Sequence, residues 1–494
     1  MQPIHRFLAL LIITAAIGVQ AQPASKRTLT LEECIQMALL HNLDIRIQRY
    51  GPEIARFDLS GAYAVFEPTL NLSAERAFNS SPGGFIPGSP VTFPSSEEES
   101  DDFAGSVGGT LPFSGLSYTL GSNLRRREDI GQSTDYFSGL TLILRQPVLR
   151  NSWIDAPRLQ IALSKRSLKI SELALRQQII TTITTVETVY YNLIFAQENV
   201  KVQEKALELA QRLLAENRKR VEVGALAPLD EKQAESEVAA RKADLLTAQR
   251  ELQTQQNALK NALTDDYSSW HPVEIDPAAK LTALPHAVQL QDSWQKGLTM
   301  RPDVLQSRLA LERQNIQLKY NRNQLFPSLD VIGTYGHNGL DTTYGRALGD
   351  LGVGDNPRHS YGIELSIPLG NRAARNAYKA SKAFKEQALL QLKKLEQTVM
   401  VTIDDAVGQV KTSFERVGAT RQARLFAEAA LDAAEKKLAN GKSTSFEVLS
   451  LQRDLTAASS AEIRALADYN IALANLASSE GTTLERNRID MEVK

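Results

Sequence analysis

Residues 223–228, with the sequence Val-Gly-Ala-Leu-Ala-Pro, interrupt a run of helix-forming residues that contains neither glycine nor proline from Arg158 onward. Gly224 can adopt the left-handed conformation that closes a helix, and Pro228 suits the first turn of the next helix. Before the break, apolar residues repeat at spacings of four and three: Ile179, Ile183, Val186, Tyr190 and Leu193. This seam is typical of packed long helices. The pattern predicts a long helical hairpin with its tip at Gly224.

The second half of the chain repeats the order of the first half, which indicates an internal duplication. His-Asn-Leu-Asp at residues 41–44 aligns with Met-Arg-Pro-Asp at residues 300–303, at an offset of 259 residues. Pro68 and Pro327 share this offset. A second helical run turns back at Gly441, 217 residues after the first tip glycine. The spacing therefore predicts two helical hairpins.

Between the helical segments the hydrophobic period changes to two, which is the pattern of strands with two different faces. The alternation extends from Pro68 to Pro147 in the first half and from Pro327 to Pro368 in the second half. The bounding prolines are 79 residues apart in the first segment and 41 in the second. The additional residues of the first segment include a strand-turn-strand pattern over residues 103–126, which we call the surplus hairpin.

Composition and the N-terminus restrict the compartment and the partners. The chain has 56 basic and 57 acidic residues, so that no broad positive surface is available for a nucleic acid. Residues 1–21 have the pattern of a secretory signal peptide. No later stretch offers the about 20 apolar residues of a membrane helix, so a membrane role would require strands. Cys34 is the only cysteine and is expected to be a buried thiol in a helix, because it can form no internal disulfide.

The sequence contains no catalytic constellation. Its six histidines include no His-x-x-x-His pair, and no cysteine cluster could complete a metal site. Residues 349–354 resemble a phosphate-binding loop only in their glycine content, because they do not lead from a strand into a helix with Lys-Ser/Thr. We expect no enzyme activity, no cofactor and no metal site, and we interpret residues 349–354 as an extracellular loop.

The order of these features resembles the TolC-type outer-membrane efflux proteins, or outer membrane factors, over nearly all of the chain after the signal peptide. The resemblance is carried by Leu31-Glu32-Glu33, the duplication, the tip glycines and prolines at four helix–strand junctions: Pro68, Pro147, Pro327 and Pro368. It implies an α+β membrane protein. Duplicated long antiparallel helical hairpins would form an α-barrel, and membrane strands would form one β-barrel shared by a homotrimer. Only a closed barrel lets strands cross lipid without unpaired edges. Four strands from one chain are too few to enclose a pore, so several chains must contribute strands.

The resemblance also implies a function. The protein would be an exit duct in the outer membrane that extends into the periplasm of a Gram-negative-type envelope. It would conduct substrate passively from an inner-membrane pump, through a periplasmic adaptor, in a tripartite efflux or type I secretion system. The alternative is a periplasmic coiled-coil adaptor or stalk protein without a pore, since the first helix alone would be about 100 Å long.

The expected segments follow the duplication. A long extracellular loop is expected at residues 79–102, which are rich in Ser, Pro, Gly and Glu. In order, the segments are residues 1–21, signal peptide; 22–67, N-terminal helices; 68–147, first β-barrel segment; 148–264, first hairpin; 265–326, equatorial linker and helix; 327–368, second β-barrel segment; 369–481, second hairpin; and 482–494, C-terminal tail.

The strands have candidate water-facing and lipid-facing positions, as expected for a membrane barrel. The water-facing candidates are Asn71, Ser73, Thr119, Asn123, Thr334 and Ser366. The candidates for interfacial aromatic belts are Phe78, Tyr136, Tyr335 and Tyr361. The family implies four strands per chain and twelve per trimer. The surplus hairpin at residues 103–126 either enlarges the barrel to eighteen strands or folds as an accessory hairpin.

Two further sites are expected on the helices. Glu428, Asp432 and Glu435 share one helix face and resemble the family segment whose acids line the periplasmic entrance; a solvated helix face is the alternative. A threefold ring of such acids would favour cations. The resemblance places adaptor contacts at the two tips, at Gly224, Leu226, Leu229, Asp230, Gly441, Thr444, Phe446 and Glu447.

Overall fold

The computed structural model describes residues 26–85, 87–88, 90–129, 134–354 and 356–489. The expected signal peptide and the end of the C-terminal tail, residues 490–494, lie outside the described residues. The described chain divides into two units. The helical unit contains the residues up to Leu43, Thr182–His286 and Gln409–Asn475. The sheet unit contains Asp44–Thr181, Ala287–Gly408 and the residues from Leu476 onward.

Long helices make up most of the described chain. The helices are α1 (Leu31–His41), α2 (Leu43–Tyr63), α3 (Ala156–Glu222), α4 (Pro228–Leu263), α5 (Tyr267–Trp270), α6 (Leu290–Met300), α7 (Pro302–Asn323), α8 (Tyr344–Val353), α9 (Arg372–Ala439), α10 (Ser445–Glu480) and α11 (Thr483–Arg486). Thr30 begins α1 with a capping box, in which its side chain accepts from the Glu33 amide at 3.2 Å. The helices α3 with α4 and α9 with α10 are the two hairpins that the sequence predicts.

Both hairpins close at the expected glycines. Gly224 and Gly441 have φ values of +73° and +72°, a conformation that glycine adopts without strain. The amide that follows each glycine donates at 2.8 Å to the carbonyl five residues earlier. Equivalent hydrogen bonds therefore complete the last turn of each outgoing helix.

Each half also contains the same sharp corner between two shorter helices. The corner between α1 and α2 lies at Asn42, and the corner between α6 and α7 lies at Arg301. Their φ and ψ values are −62° and 126° at Asn42 and −64° and 127° at Arg301. The side-chain Nδ2 of Asn42 donates to the carbonyl of Ala262 at 3.0 Å, and Arg301 Nη1 donates to the carbonyl of Ser479 at 3.0 Å. The acceptors, near the ends of α4 and α10, are themselves 217 residues apart. We call these two contacts the corner latches.

The apolar seam of α3 is buried. Ile183, Val186, Tyr190 and Leu193 are 0% exposed, and Ile179 is 3% exposed. This helix contains one window that is long and apolar enough to cross a membrane, by length and composition alone. That finding corrects the expectation that no such stretch follows the signal peptide. More than half of the window is buried within the protein, which is the environment of a core helix.

Buried polar side chains attach a small parallel sheet to the helical unit. The sheet pairs β1 (Lys26–Leu29) with β8 (Glu274–Pro277). The Gln256 side chain donates to the carbonyl of Ile275 at 2.7 Å and accepts from its backbone amide at 3.0 Å. It thereby makes the hydrogen bonds that a neighbouring strand would make at the edge of β8. The Tyr190 hydroxyl donates to the carbonyl of Leu29 at 3.0 Å. These bonds hold in place the segment containing β8, which links the two halves of the duplication.

The sheet unit contains one antiparallel sheet of six strands. In chain order the remaining strands are β2 (Thr69–Ser81), β3 (Gly84–Phe85), β4 (Thr92–Phe93), β5 (Ser96–Thr110), β6 (Ser117–Asp129), β7 (Thr134–Pro147), β9 (Ser328–Asp341) and β10 (Pro357–Ser366). The order across the sheet is β2-β5-β6-β7-β9-β10, and β3 pairs separately with β4. The surplus hairpin therefore supplies two central strands, β5 and β6.

The loop expected at residues 79–102 is shorter than predicted, because its acidic end belongs to β5. Arg126 donates to Asp101 at 3.0 Å, and Arg127 donates to Glu98 at 3.1 Å, both from β6. Opposite charges across neighbouring strands favour pairing. An acidic run by itself indicates a solvated loop, but here its partners lie in an arginine run that is distant in the sequence.

The loop expected at residues 349–354 is also corrected, since most of it forms the end of α8. This helix packs on the sheet where Gly339 leaves room for it. A Cβ atom at Gly339 would lie 2.2 Å from the carbonyl oxygen of Ala347. The Ser138 hydroxyl donates to that oxygen at 2.5 Å. Tertiary packing thus outweighs the low helix propensity of the glycines.

Candidate functional site

The six-stranded sheet has one polar and one apolar face. Residues paired in register point to the same side of a sheet. The six predicted water-facing positions all lie on one face: Asn71, Ser73, Thr119, Asn123, Thr334 and Ser366. The four predicted belt aromatics lie on the opposite face: Phe78, Tyr136, Tyr335 and Tyr361. The alternation read from the sequence therefore continues across all six strands.

The apolar face is continuous and exposed. Every strand contributes an apolar side chain that is at least 40% exposed: Leu70, Phe103, Leu120, Leu140, Val331 and Ile363. An exposed apolar face of this extent marks a surface that lipid or another protein covers. Toward the turn between β2 and β5 it gives way to charge, since Arg76 and Arg126 both pair with Asp101, at 3.6 and 3.0 Å. Such a boundary is expected where a membrane strand leaves the hydrocarbon region.

Ion pairs join three strands on the polar face. Arg145 on β7 donates to Asp330 on β9 at 2.8 Å and to Glu364 on β10 at 2.7 Å. The three residues lie near the ends of their strands that adjoin the helices. Two carboxylates around one guanidinium leave this part of the polar face with a net negative charge, which suits an aqueous surface better than a packed core.

The two hairpin tips present exposed apolar side chains. Val223, Leu229 and Phe446 are 78%, 65% and 59% exposed. Val223 is not among the predicted tip residues. Of the remaining predicted ones, Gly224, Gly441, Thr444 and Glu447 are exposed, whereas Leu226 and Asp230 are half-buried. Single apolar residues at a surface are ordinary, but here they occur at both tips.

A buried asparagine, which the sequence reading missed, joins the two tips. Asn217 is 0% exposed. Its Oδ1 accepts from the Ser445 hydroxyl at 3.0 Å, and its Nδ2 donates to the carbonyl of Asp230 at 3.4 Å. A buried polar group is stable only when it is hydrogen-bonded. Asn217 therefore fixes the starts of α4 and α10 relative to the end of α3.

A buried acid, also missed, joins the return helices. Glu237 of α4 is 8% exposed. It accepts from Arg453 of α10 at 3.1 Å and pairs with Arg241 at 3.0 Å. An apolar cluster at the same end contains Leu213, Leu431, Ala434, Leu438, Val448 and Leu449. The tips are thus a packed structure rather than two free loops.

The acidic stripe lies on the exposed side of α9. Glu428, Asp432 and Glu435 are exposed. Arg424 pairs with Glu428 at 3.0 Å, and Lys436 pairs with Asp432 at 2.6 Å. Across the part of the chain that the structure describes, Glu435 has no ion pair within 4.0 Å. The stripe is therefore less negative than three acids alone would make it.

Neither a metal site nor a reactive thiol is found among the described residues. Residues 26–489, apart from the short gaps named above, contain no group of three or more His, Cys, Asp or Glu side chains that could hold a metal ion. Cys34 is 0% exposed, and burial, with a smaller contribution from Glu33, raises the pKa of its thiol to about 12. A thiol with so high a pKa is unreactive at neutral pH.

Comparison with known proteins identifies the architecture. The family model described as outer membrane efflux protein matches residues 155–264 and 294–482, which is more than half of the chain. The chain belongs to this family. The first matched segment covers the first hairpin, and the second covers most of the second half of the duplication, including β9 and β10; the N-terminal helices and the first strand segment lie outside the match.

Named relatives and solved structures agree with the family. The chain is 25% identical to the outer membrane protein TolC of Vibrio cholerae over 390 residues, covering 76% of this chain and 84% of the relative. It is 22% identical to TolC of Escherichia coli over 384 residues, covering 76% and 74%. The CmeC outer membrane channel of Campylobacter jejuni has the same fold, with a TM-score of 0.66 at 17% identity over 92% of this chain and 86% of that one.

The family determines how the site is interpreted. The protein is an outer-membrane efflux channel and not an enzyme. Membrane barrels in general present an apolar face to lipid and a polar face to water, which is the same division as that between the two faces of this sheet. The resemblance, the fold class of long helices with antiparallel strands and the outer-membrane location predicted from the sequence are confirmed, whereas the trimer stays a prediction.

Proposed function

We propose that this channel is the passive exit duct of a tripartite efflux or type I secretion system. Three copies form the duct, and the hairpin tips bind a periplasmic adaptor that connects them to an inner-membrane pump. The duct supplies no chemical energy, so the pump determines direction and cargo.

The observation that carries this proposal is the matched pair of tips. Leu229 and Phe446 occupy equivalent positions, 217 residues apart, and both are largely exposed. The bonds of Asn217 hold both return helices in place, so the apolar contacts are pre-organised. Pre-organised apolar residues at a solvent-exposed end favour binding of another protein, because little ordering is needed on association.

The acidic stripe is proposed as a selectivity element at the periplasmic entrance. Its residues lie near the Gly441 tip and face away from the apolar cluster. Because Lys436 and Arg424 partly neutralise Asp432 and Glu428, we assign most of the free negative charge to Glu435. In a threefold ring, that charge would favour passage of cations over anions.

A periplasmic stalk protein without a pore is the competing function. It would use the helical hairpins, but it would leave six strands with an exposed apolar face without a role. Purified protein in planar bilayers separates the two proposals. We expect an outer-membrane trimer that conducts; a monomeric, water-soluble product without conductance would refute the duct.

Adaptor binding requires its own test in intact cells. A photo-reactive phenylalanine analogue at Phe446 should cross-link to a periplasmic protein of the adaptor type. The matched control places the analogue at Phe426, which is 73% exposed on α9 but lies away from the tip. The same cross-linked product from both positions would contradict binding at the tips.

A further inference from the structure

The sheet ends in two free edges that are suited to each other. In the described chain β2 pairs only with β5, and β10 pairs only with β9. Every residue of both edge strands is exposed. All pairs in the sheet are antiparallel, and six is an even number of strands, so β2 and β10 run in opposite directions. The edge β10 of one copy can therefore continue the antiparallel ladder with β2 of another copy.

Successive strands of the sheet are shifted along one another, and the two strands of the surplus hairpin follow the same progression. One row of paired residues begins at Thr69, the first residue of β2, and ends on β10. The row contains Thr69, Gly108, Thr119, Ile143, Thr334 and Ser360. Measured from the strand end that adjoins the helices, the row lies 0, 2, 2, 4, 6 and 6 residues along β2, β5, β6, β7, β9 and β10. The rise is monotonic, and β5 and β6 fit into it like the other strands.

The stagger gives the tilt of the strands. A rise of about six residues over five strand steps, at about 3.3 Å per residue and about 4.8 Å between strands, corresponds to a tilt of about 40°. Membrane barrels have strand tilts of about 35–45°. The sheet with all six strands therefore already has the geometry of a barrel segment.

The faces of the surplus hairpin agree with that geometry. On β5 and β6, Phe103 and Leu120 are 48% and 45% exposed on the apolar face. Asn123 and Thr119 lie on the polar face. An accessory hairpin in water has no need of an apolar face in line with those of its neighbours.

We propose that all six strands of each chain enter the membrane barrel, and that β10 of each copy pairs with β2 of the next copy. With the three copies of the proposed function, on which this count rests, the barrel has eighteen strands rather than the twelve that the family resemblance implies. The lower ends of the edge strands are aligned, so that Thr69 lies opposite Ser366 and Ser73 lies opposite Gly362. Since barrel diameter grows roughly linearly with strand number, this pore is about 1.5 times as wide as a twelve-stranded one.

The edge pairing is tested by oxidation of introduced cysteines. Ser73→Cys combined with Gly362→Cys should give a disulfide between copies and a band of three chains on a denaturing gel. An added Cβ at Gly362 meets nothing within 4 Å, and the buried Cys34 does not interfere. The control combines Ser73→Cys with Arg358→Cys, four residues further along β10 on the same face, and should remain unlinked. Equal linkage of both pairs, or a ring of another number of chains, would overturn the eighteen-stranded barrel.

The position of the surplus hairpin is tested with adjacent residues on opposite faces. In protein reconstituted into lipid, Thr119→Cys should react with a water-soluble maleimide at least tenfold faster than Leu120→Cys. Equal reactivity would show an accessory hairpin in water and overturn the proposal. Conductance is measured on the same preparations. A conducting trimer with equal labelling would retain the duct but reject the eighteen strands, whereas absent conductance with the expected cross-link would reject the duct alone.

Discussion

The corner latch at Arg301 allows a quantitative test, because its chemistry differs from that of the latch at Asn42. Arg301 donates to the carbonyl of Ser479 at 3.0 Å and to Asp303 at 3.0 and 2.7 Å. A hydrogen bond from a charged donor contributes about 1.5–3 kcal/mol, and a partly exposed ion pair contributes about 1 kcal/mol or less. We expect Arg301→Ala to lower the stability of the end of α10 by about 2 kcal/mol. This corresponds to about a 30-fold loss of protection against amide hydrogen exchange.

The same latch should depend on pH. Burial opposes the charge of Asp303, but the hydrogen bonds and charge of Arg301 outweigh it and hold the pKa of Asp303 below its ordinary value. A carboxyl group with a lowered folded pKa adds stability above its unfolded pKa of about 3.9, and that stability is lost as the pH falls through the folded pKa. Protection should therefore be constant from pH 7 to about pH 5 and decrease below about pH 4. In Arg301→Ala this acid-dependent loss should be absent.

Hydrogen exchange followed by mass spectrometry, corrected for intrinsic rates, provides the measurement. The reporters are the amides of Gly481 and Thr482, which donate to carbonyls in the last turn of α10. The matched control is Asn42→Ala, which removes a neutral bond and should cost about 1 kcal/mol at the end of α4 at every pH. Unchanged protection in Arg301→Ala, or the same acid dependence in both variants, would refute the assignment.

Three further outcomes are expected from single changes. Gly224→Val or Gly441→Val should strain a tip turn by about 1 kcal/mol or more and abolish export while the trimer persists. Transport assays measure export, and native electrophoresis measures the trimer. Export at the wild-type rate would contradict a role for the tips. Asp432→Asn should lower cation selectivity about twofold at low salt, whereas Lys436→Gln should raise it, because the charges of the two residues partly neutralise each other. Reversal potentials provide the measurement. If they change in neither variant, the acidic stripe is only a solvated helix face. Cys34 should resist maleimide in the folded protein at pH 8, where a thiol of pKa about 12 is about 0.01% ionised, and labelling before denaturation would disprove its burial.

The sequence predicts those parts of the fold that depend on neighbouring residues. The hairpin tips follow from Gly224 and Gly441, because a left-handed residue and a helix start are local features. The strands follow from a period of two, and the duplication follows from constant offsets. The pair of Asp432 with Lys436 was also readable, since residues four apart are neighbours on a helix.

The parts that could not be predicted depend on residues far apart in the chain. No local pattern connects Asn42 with Ala262 or Arg301 with Ser479. Likewise, Asn217 is an ordinary polar residue in the sequence, and only packing places it against Ser445. The acidic part of β5 has the composition of a loop, and only the fold places the arginines of β6 beside it. The predicted acidic stripe and tip contacts remain predictions, because their roles depend on other chains.

The strand order also constrains the time course of folding. β2, β5, β6 and β7 are neighbours in the sheet and lie close together in sequence, with only the small β3–β4 hairpin between β2 and β5, so they can pair on the microsecond timescale of hairpins. β9 pairs with β7 from about 180–200 residues away, and contacts of such separation form slowly. Until the first hairpin has been synthesised and β9 arrives, β7 has an open edge that invites wrong pairing. A nascent chain must therefore be shielded at that edge during transit, which makes the delay before β9 the step at which aggregation competes with folding.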